Sequence, residues 1–257
     1  MLEVRVRSFP RTKVVWFAER AVPPSRLERL ASYQVLFHQV QEKPSAEVEE
    51  NATVSAFTTL VNDLTSNEDE LWQALRKSTR QEIQAAGSKL PHQIDFFYED
   101  PELRSFDFLV NFCAKKNLPV PSRSSFKKQF HHGIMSCCHL NGEIDVLHFH
   151  LLDRESGRAR LLWSARALEP EVKDRTVRLN KLLHWTDLLY FKNQLGMLTY
   201  DWGGVSLTGE TLRGVDHFKQ GFGGTMITEW DVTWRSPWYS PLQTRVPQSV
   251  LRRIRAR

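Results

Sequence analysis

The sequence predicts a mixed α/β fold, in which an α+β mixed sheet carries helices on its faces. Two observations support this prediction. Short segments are rich in β-branched and aromatic residues, and longer segments between them repeat apolar residues at helical spacing. The length of 257 residues fits one domain with an elaborated edge. Because no period of about 20–50 residues appears, a repeat architecture is not expected.

Two strands are predicted near the N-terminus, over Lys13–Arg20 and Tyr33–Val40, and Pro23-Pro24 breaks the chain between them. Residues 41–51 are acidic and polar, and they predict an exposed connection. We therefore treat residues 1–50 as an N-terminal β extension.

One strand and three helices are predicted next. Thr53–Leu64 has the composition of a strand, and Asn67 with the three carboxylates after it predicts a helix from Glu68 to Ala86. Within this helix Arg80 is the candidate for anion binding, the alternative being a solvated helix face. Two further helices are predicted, over Leu103–Lys116 and from Ser122 or Ser124 to His131.

The Asn141-Gly142 pair is the sharpest local signal, because both residues accept the positive φ angles of a two-residue hairpin turn. It joins predicted strands over Ile134–Leu140 and Ile144–Leu151. A second turn at Ser156-Gly157 leads into a third strand, Arg160–Ala167. The three strands predict an antiparallel meander.

A long helix is predicted over Asp174–Gln194, followed by Gly196, which suits the left-handed residue after a helix. The remaining predicted elements are a strand over Met197–Trp202, a turn at Gly203-Gly204, a helix over Thr211–Lys219 and a strand over Thr225–Trp234. We take residues 51–235 as the main domain and residues 236–257 as a basic tail.

The net charge of +5 comes from this tail, which contains Arg245, Arg252, Arg253, Arg255 and Arg257. Because the rest of the chain is neutral, duplex DNA is not an expected partner. The tail is a candidate contact for RNA or for acidic lipid at the inner face of the membrane, the alternative being a solvated tail. Three cysteines, no export signal and no run of about 18 apolar residues predict a cytoplasmic protein without a membrane-spanning helix.

Three stretches together resemble one family. They are DLTSNEDELWQALRKSTRQEIQAA (Asp63–Ala86), YDWGG (Tyr200–Gly204) and GVDHFKQGFGG (Gly214–Gly224). In the order of its elements, the region from about Thr53 to Trp234 is similar to the GCN5-related N-acyltransferase (GNAT) fold, and to its FemAB-like branch, which includes peptidoglycan aminoacyltransferases. The C-terminal pair of motifs is the specific part of this resemblance.

The resemblance implies a single GNAT-like acyltransferase fold that transfers an acyl or aminoacyl group to an amine. The implied donor is acyl-CoA or aminoacyl-tRNA, without a metal, and the implied acceptor is a small molecule or sugar nucleotide that serves as a cell-envelope polysaccharide or peptidoglycan precursor. A splayed strand, Leu161–Ala167, would supply a backbone N–H near Trp163 to the oxyanion. The next helix would point its N-terminus at donor phosphates, near Arg175 and Arg178, although residues 168–179 contain no glycine.

Four residues are candidates for the chemistry. Asp201 is placed to orient or deprotonate the acceptor amine, or only to cap the turn. Lys219 is placed to hold a donor phosphate or a substrate carboxylate, or only to pair with Asp216 or Asp201. Tyr200, with Tyr190, is a candidate acid for the leaving group, or a core residue. The remaining binding candidates are Trp202, Gly203, Gly204, Phe218 and Gly223.

A metal site is not expected. His131, His132, Cys137, Cys138 and His139 cluster in the sequence, but their spacing does not match structural zinc patterns, and adjacent strand residues point to opposite faces. His148 and His150 share a strand face, yet two ligands are too few. The alternative to an enzyme is a noncatalytic binding or scaffold module that docks on a membrane or an assembly through its basic tail.

Overall fold

The computed structural model describes residues 1–6, 12–25, 34–99, 104–206 and 213–235. The predicted basic tail lies outside the described residues, as do Tyr33 and Thr211, the predicted first residues of a strand and a helix. The chain divides into two compact units, Met1–Thr58 with Ile227–Arg257, and Thr59–Met226. This division groups residues 227–235 with the N-terminal unit, whereas the sequence assigned them to the main domain.

The described residues form ten strands and seven α-helices. The strands are β1 (Leu2–Val6), β2 (Thr12–Trp16), β3 (Gln34–Val40), β4 (Thr53–Asp63), β5 (His92–Phe97), β6 (Gly133–Leu140), β7 (Glu143–Asp153), β8 (Arg158–Arg166), β9 (Thr199–Gly204) and β10 (Thr225–Arg235). The helices are α1 (Ala46–Asn51), α2 (Glu68–Ala74), α3 (Lys77–Lys89), α4 (Arg104–Lys115), α5 (Arg123–Gln129), α6 (Lys173–Asn193) and α7 (Arg213–Gln220). The predicted mixed α/β class is confirmed.

The N-terminal unit contains the strand order β1-β2-β3-β10. β1 and β2 are antiparallel, β2 and β3 are parallel, and β3 and β10 are antiparallel. Its core includes Val15, Val35 and Val232. The prediction of an exposed connection over residues 41–51 is wrong in part, because this segment contains α1, which buries Val48.

The second unit contains the strand order β4-β9-β8-β7-β6-β5. β5 to β8 form an antiparallel meander, which extends the three predicted strands by one. The turn at Asn141 and Gly142 has φ angles of 53° and 83°, as the sequence predicts. Residues of α3 and α6 pack in the core cluster of one side, and residues of α4 and α5, including Phe106 and Phe126, pack in another.

The single helix predicted over Glu68–Ala86 is wrong, because α2 and α3 are separate helices. Leu75 and Arg76 have ψ angles of 143° and 145°, which break the helical hydrogen-bond pattern. The Nη1 atom of Arg80 lies 2.6 Å from the carbonyl oxygen of Leu75 and 3.0 Å from that of Gln73. Arg80 therefore satisfies carbonyl groups at the end of α2, a structural role that its sequence position does not indicate.

β8 and β9 form the parallel pair of the second unit, and they pair only from Arg158–Thr199 to Arg160–Asp201. Beyond this point β8 continues to Arg166 and stays paired with β7. The register of β7 and β8 shifts by one residue at Leu162, which forms a bulge in β8. The two strands therefore separate toward their C-terminal ends, as predicted for a splayed strand.

The predicted turn at Gly203-Gly204 is wrong, because both glycines belong to β9. Between its pairs Thr59–Gly204 and Val61–Asp201, β9 contains one more residue than β4. Gly203 has a φ of 72°, the left-handed conformation that glycine adopts in one type of β-bulge. The two glycines therefore change the direction of the last residues of β9 and do not form a chain reversal.

No helix among the described residues combines the length and the hydropathy needed to cross a membrane.

Replacing Gly203 by alanine tests the bulge. We expect Gly203→Ala to destabilise the protein by more than about 1 kcal/mol, because the left-handed conformation penalises a Cβ atom. The added Cβ would also lie 3.2 Å from the carbonyl oxygen of Leu161. Gly142→Ala is the matched control, since its φ is 83° but no atom lies within 4 Å of the added Cβ. Urea unfolding should give the larger loss for Gly203→Ala, and equal losses would contradict the close packing at the bulge.

Candidate functional site

A cavity lies where β8 and β9 separate, and it is the candidate functional site. Its volume is about 330 Å³. Residues of β8, α6, β9 and α7 line it, namely Leu161, Ser164, Arg166, Val177, Asn180, His184, Trp202, Gly214, Val215, Phe218 and Lys219. Among these described residues Arg166 and Lys219 carry positive charge, and none is a carboxylate. The cavity therefore suits a ligand that combines an apolar part with a negative charge.

The helix α6 contributes Val177, Asn180 and His184, which are spaced three and four residues apart and share one helix face. Leu179 and Leu183 of the same helix are fully buried in the core. One helix thus supplies both core packing and a wall of the cavity.

Lys219 reaches the cavity from α7, where the bulged end of β9 holds its ammonium group. Its Nζ donates to the carbonyl oxygens of Gly204 at 2.6 Å and Gly203 at 3.4 Å. No carboxylate of the described part of the chain lies within ion-pair distance of this nitrogen. Burial lowers the pKa of Lys219 to about 8, although Asp216 and Asp201 raise it in part. The residue is mostly protonated at neutral pH.

His184 is the second titratable group that lines the cavity. Its Nδ1 lies 3.3 Å from the Oη of Tyr200, and no described residue forms a hydrogen bond with its Nε2. Burial, then the nearby His148, His150 and Lys219, lowers the pKa of His184 well below its usual value. His184 is therefore a neutral imidazole at physiological pH.

A buried polar network continues behind this histidine. The Oη of Tyr200 lies 3.0 Å from His150 Nε2. The Oδ2 of Asp187 lies 3.6 Å from His150 Nε2 and 2.6 Å from His148 Nδ1. His148 Nε2 lies 2.8 Å from Asn180 Oδ1, which returns the network to the cavity wall. Two residues of the cavity are thus connected through the protein interior.

Tyr200 is fully buried and does not line the cavity. Burial raises the pKa of Tyr200 well above its ordinary value and lowers the pKa of His150 to about 3. Tyr200 therefore stays protonated and His150 stays neutral. As an acid for a leaving group, Tyr200 would act only through His184.

His148, His184 and Asp187 place potential metal-ligand atoms within 4.8 Å of one another. However, the rings of His148 and His184 are stacked, with centroids 3.8 Å apart and an angle of 22° between their planes. Both ring nitrogens of His148 already lie at hydrogen-bond distance from oxygens of Asp187 and Asn180. Because lone pairs of stacked rings do not converge, this geometry fits a hydrogen-bond network better than a metal centre.

Asp201 is fully buried and does not line the cavity. Its Oδ1 accepts from the Gly203 N–H at 2.8 Å and from the Thr59 hydroxyl, and its Oδ2 accepts from Arg158 at 2.6 Å. Burial alone would raise the pKa of this carboxyl, but Arg158, Arg160 and these hydrogen bonds hold the pKa below its ordinary value. Asp201 therefore caps the backbone at Gly203. Because Asp201 does not line the cavity, its carboxylate has no direct access to an acceptor amine bound there.

The other predicted binding residues are divided between the cavity and the rest of the unit. Trp202 and Phe218 line the cavity. The Trp163 side chain stacks on Phe126 in the cluster that α4 and α5 form. Elsewhere in the unit, Arg175 pairs with Asp145 at 2.8 Å, and Arg178 is exposed on α6. Gly223 has a φ of 73° and lies against Ala74. Tyr190 stacks on Phe96.

Carboxylates surround the beginning of α6, where the resemblance places donor phosphates. Glu169, Glu171 and Asp174 lie within or next to the 3-10 helix Pro170–Val172 that precedes α6. Pro170 has no N–H to donate. Cations are also present, because Lys115 pairs with Glu169 and Lys173 is the first residue of α6, so the charges at this helix terminus are mixed.

Sequence reasoning missed Arg166, His184 and Asn180 as site residues. A signal was present, because Asn180, His184 and Asp187 form a polar stripe at helical spacing within an otherwise apolar helix face. Whether this stripe faces a cavity or a buried network depends on the strands that α6 packs on, and the local sequence pattern does not identify those strands.

No family model matches the chain, and no curated protein matches it significantly. Solved structures do match. FemX aligns over 95% of this chain and 85% of its own, with 12% identity and a TM-score of 0.62. The fold of the chain is FemX-like.

A C-terminal domain of a putative lysylphosphatidylglycerol synthetase from Agrobacterium fabrum aligns over 94% of this chain and 83% of its own, with 10% identity and a TM-score of 0.58. L-PGS from Bacillus licheniformis aligns over 99% of this chain and 86% of its own, with 13% identity and a TM-score of 0.54. At these identities the matches show the fold alone. The resemblance predicted from the sequence is confirmed at this level.

Asp201→Asn tests the buried ion pair. We expect a loss of about 3 kcal/mol at neutral pH, because the change removes the negative charge that faces two buried guanidinium groups. The folded pKa of Asp201 lies below its ordinary value, so its stabilisation is complete above about pH 4 and is lost as the pH falls through the folded pKa. The difference between wild type and variant should therefore narrow in acid, as measured by urea unfolding.

Asp63→Asn is the control, because Asp63 is exposed and, among the described residues, its side chain accepts hydrogen bonds only from Thr65. This substitution should lower the free energy of unfolding by about 1 kcal/mol or less. An equal and small cost for both variants would contradict a stabilising role of the Asp201 ion pair.

Proposed function

We propose that the protein is an N-acyltransferase that moves an acyl or aminoacyl group from a thioester or ester donor to an amine. One observation carries this proposal. The cavity between the diverging strands β8 and β9 presents a neutral imidazole, His184, and an ammonium group, Lys219, with no carboxylate in its described lining. The FemX-like fold supports the same class of reaction.

The proposed roles follow from what acyl transfer requires. The amine nitrogen attacks the carbonyl carbon, a C–N bond forms, and the bond from that carbon to the donor sulfur or oxygen breaks. The amine must also lose a proton. With Nδ1–H donating to Tyr200, the Nε2 of His184 accepts that proton and then returns it to the leaving group. The ammonium group of Lys219 binds an anionic group of the donor or acceptor.

We further propose that the acceptor is an amine of a cell-envelope precursor, polysaccharide or peptidoglycan, and that the reaction takes place in the cytoplasm. FemX and lysylphosphatidylglycerol synthetase, named in the structural matches, support the class of pathway but not a particular substrate. The proposed donor is acyl-CoA or aminoacyl-tRNA.

The test of the function begins with mass spectrometry of small molecules and RNA that copurify with the protein. Purified protein is then incubated with acyl-CoA donors or charged tRNA and with amino-sugar nucleotides, and product formation is measured. Consumption of a donor that depends on an amine supports the proposal. Binding of an acceptor without turnover of any donor would instead favour the noncatalytic scaffold, and deletion of residues 252–257 would then abolish its docking.

His184→Gln tests the proton acceptor. We expect turnover to fall by about 10²–10⁴-fold, the usual scale of general acid–base catalysis, with a smaller change in KM. His217→Gln is the matched control, because His217 is exposed on α7 and does not line the cavity. Circular dichroism confirms folding of both variants. Wild-type turnover in a folded His184→Gln protein would remove this residue from the chemistry.

The pH dependence of KM tests Lys219. Its pKa is lowered to about 8, so the ammonium form is present below that pH and is lost as the pH rises through it. KM for the anionic substrate should therefore rise above about pH 8 in the wild type. Lys219→Arg should keep KM constant to higher pH, because arginine stays charged. Lys219→Met should raise KM below about pH 8 and approach the wild-type KM above it, where the wild-type lysine has also lost its charge. A wild-type KM independent of pH between about 6 and 10 would contradict the role.

A further inference from the structure

A second cavity, of about 350 Å³, lies between α4 and the end of β8. It is lined by Phe108, Asn111, Phe112, Lys115, Arg166, Ala167, Leu168 and Glu169. Arg166 also lines the first cavity. The two cavities therefore share one side chain, and the second has no part in the roles proposed for His184 and Lys219.

Arg166 is half-buried and has no counter-ion among the described residues. Its Nη1 donates to the carbonyl oxygen of Ala167 and to the hydroxyl of Thr176, each at 3.2 Å. No described residue accepts from its Nε or Nη2, and no described carboxylate lies within ion-pair distance. Burial lowers the pKa of the guanidinium. Two neutral contacts thus fix the group, while its Nε–Nη2 edge keeps the geometry that binds a carboxylate or phosphate in bidentate fashion.

Glu169 is the carboxylate in the lining of this cavity, and both of its oxygens already accept hydrogen bonds. Glu169 Oε1 accepts from the ammonium group of Lys115, and its Oε2 accepts from the N–H of Leu168 at 3.0 Å. Lys115 and Glu169 neutralise each other. The net charge of the lining is therefore the single positive charge of Arg166.

One face of α4 forms another part of the lining. Phe108, Asn111, Phe112 and Lys115 follow the spacing of three and four residues that places side chains on the same side of a helix. Both phenyl rings are partly exposed and pack on the edge of the core. A cavity lined by two phenyl rings and by a guanidinium that has no ion-pair partner in the described part of the chain suits a molecule with a flat or apolar ring and an acidic group.

We propose that this second cavity is a binding subsite for a ring-bearing anion, whose phosphate or carboxylate group binds the Nε–Nη2 edge of Arg166 while its ring packs on Phe108 and Phe112. Because Arg166 also lines the first cavity, a ligand held here extends toward His184 and Lys219. That the subsite serves a transferase substrate rests on the proposed function, whereas the binding itself does not.

The test uses four small probes in NMR titrations of the full-length protein. Phenyl phosphate and benzoate carry a ring and an anion, inorganic phosphate carries only the anion, and benzyl alcohol carries only the ring. We expect phenyl phosphate, benzoate or both to bind at least about tenfold more tightly than benzyl alcohol, the scale of a charge-assisted hydrogen bond. The amide signals of Ala167 and Leu168 should shift. Equal affinity of all ring probes would overturn the proposal.

Variants separate the two parts of the subsite. Arg166→Gln should weaken the binding of phenyl phosphate or benzoate at least about tenfold and leave the affinity for benzyl alcohol unchanged. Phe112→Leu should lower the affinity for phenyl phosphate but not the affinity for inorganic phosphate. Arg154→Gln is the matched control, because Arg154 is exposed in the turn between β7 and β8. Unchanged phenyl phosphate and benzoate binding in a folded Arg166→Gln protein would overturn the proposal.

Arg166→Lys covers the case in which Arg166→Gln does not fold. It keeps the charge but loses the bidentate edge, so we expect weaker binding of the anionic probe, and full affinity would overturn the bidentate assignment. These measurements need no turnover. Probe binding without any acyl transfer would contradict the proposed function alone, and acyl transfer without probe binding would contradict the subsite alone.

Discussion

The buried carboxylate of Asp201 connects three strands at the point where β8 and β9 are still paired. It binds Thr59 on β4, Arg158 on β8 and the backbone N–H of Gly203 on β9. Just beyond this cluster the parallel pairing ends and the cavity begins. Because buried charges are tolerated only when paired and hydrogen-bonded, this cluster constrains the three strands to one arrangement. The cavity depends on that constraint, since strands that slipped in register would close or displace it.

The same cluster places charge beneath the cavity. Asp201 faces both Arg158 and Arg160, so these three residues carry one more positive than negative charge. Lys219 and Arg166 are held instead by carbonyl and hydroxyl oxygens, which fix their positions without neutralising them. Such cations interact strongly with an incoming anion because burial weakens their solvation. The fold thus separates structural ion pairs from the charges that face a ligand.

The buried network of His148, His150, Asp187 and Tyr200 gives His184 a fixed orientation. Most of its contacts are made between α6 and β7, two elements that also pack through apolar residues on the same side of the sheet. Hydrogen bonds in a low-dielectric interior are strong, so they hold these side chains in place, although His150 Nδ1 and Asp187 Oδ1 have no partner among the described residues. His184 can therefore present one nitrogen to the cavity while the other is held by Tyr200.

The amino-acid sequence by itself determined the elements whose signals are local. The Asn141-Gly142 hairpin, the long helix α6, the capping box at Asn67 and the mixed α/β class follow from turn chemistry, capping and periodicity. The YDWGG and GVDHFKQGFGG motifs also indicate Trp202, Phe218 and Lys219 as candidate residues, and these three line the cavity between β8 and β9.

The tertiary structure decided what depends on contacts between distant segments. The break at Leu75 and Arg76, the bulge at Gly203 and the ion pairs of Asp201 all involve groups that strand pairing or packing brings together. A histidine in an apolar helix looks the same in the sequence whether it faces a core or a cavity. His184 and Arg166 became site residues only because two parallel strands separate beside them.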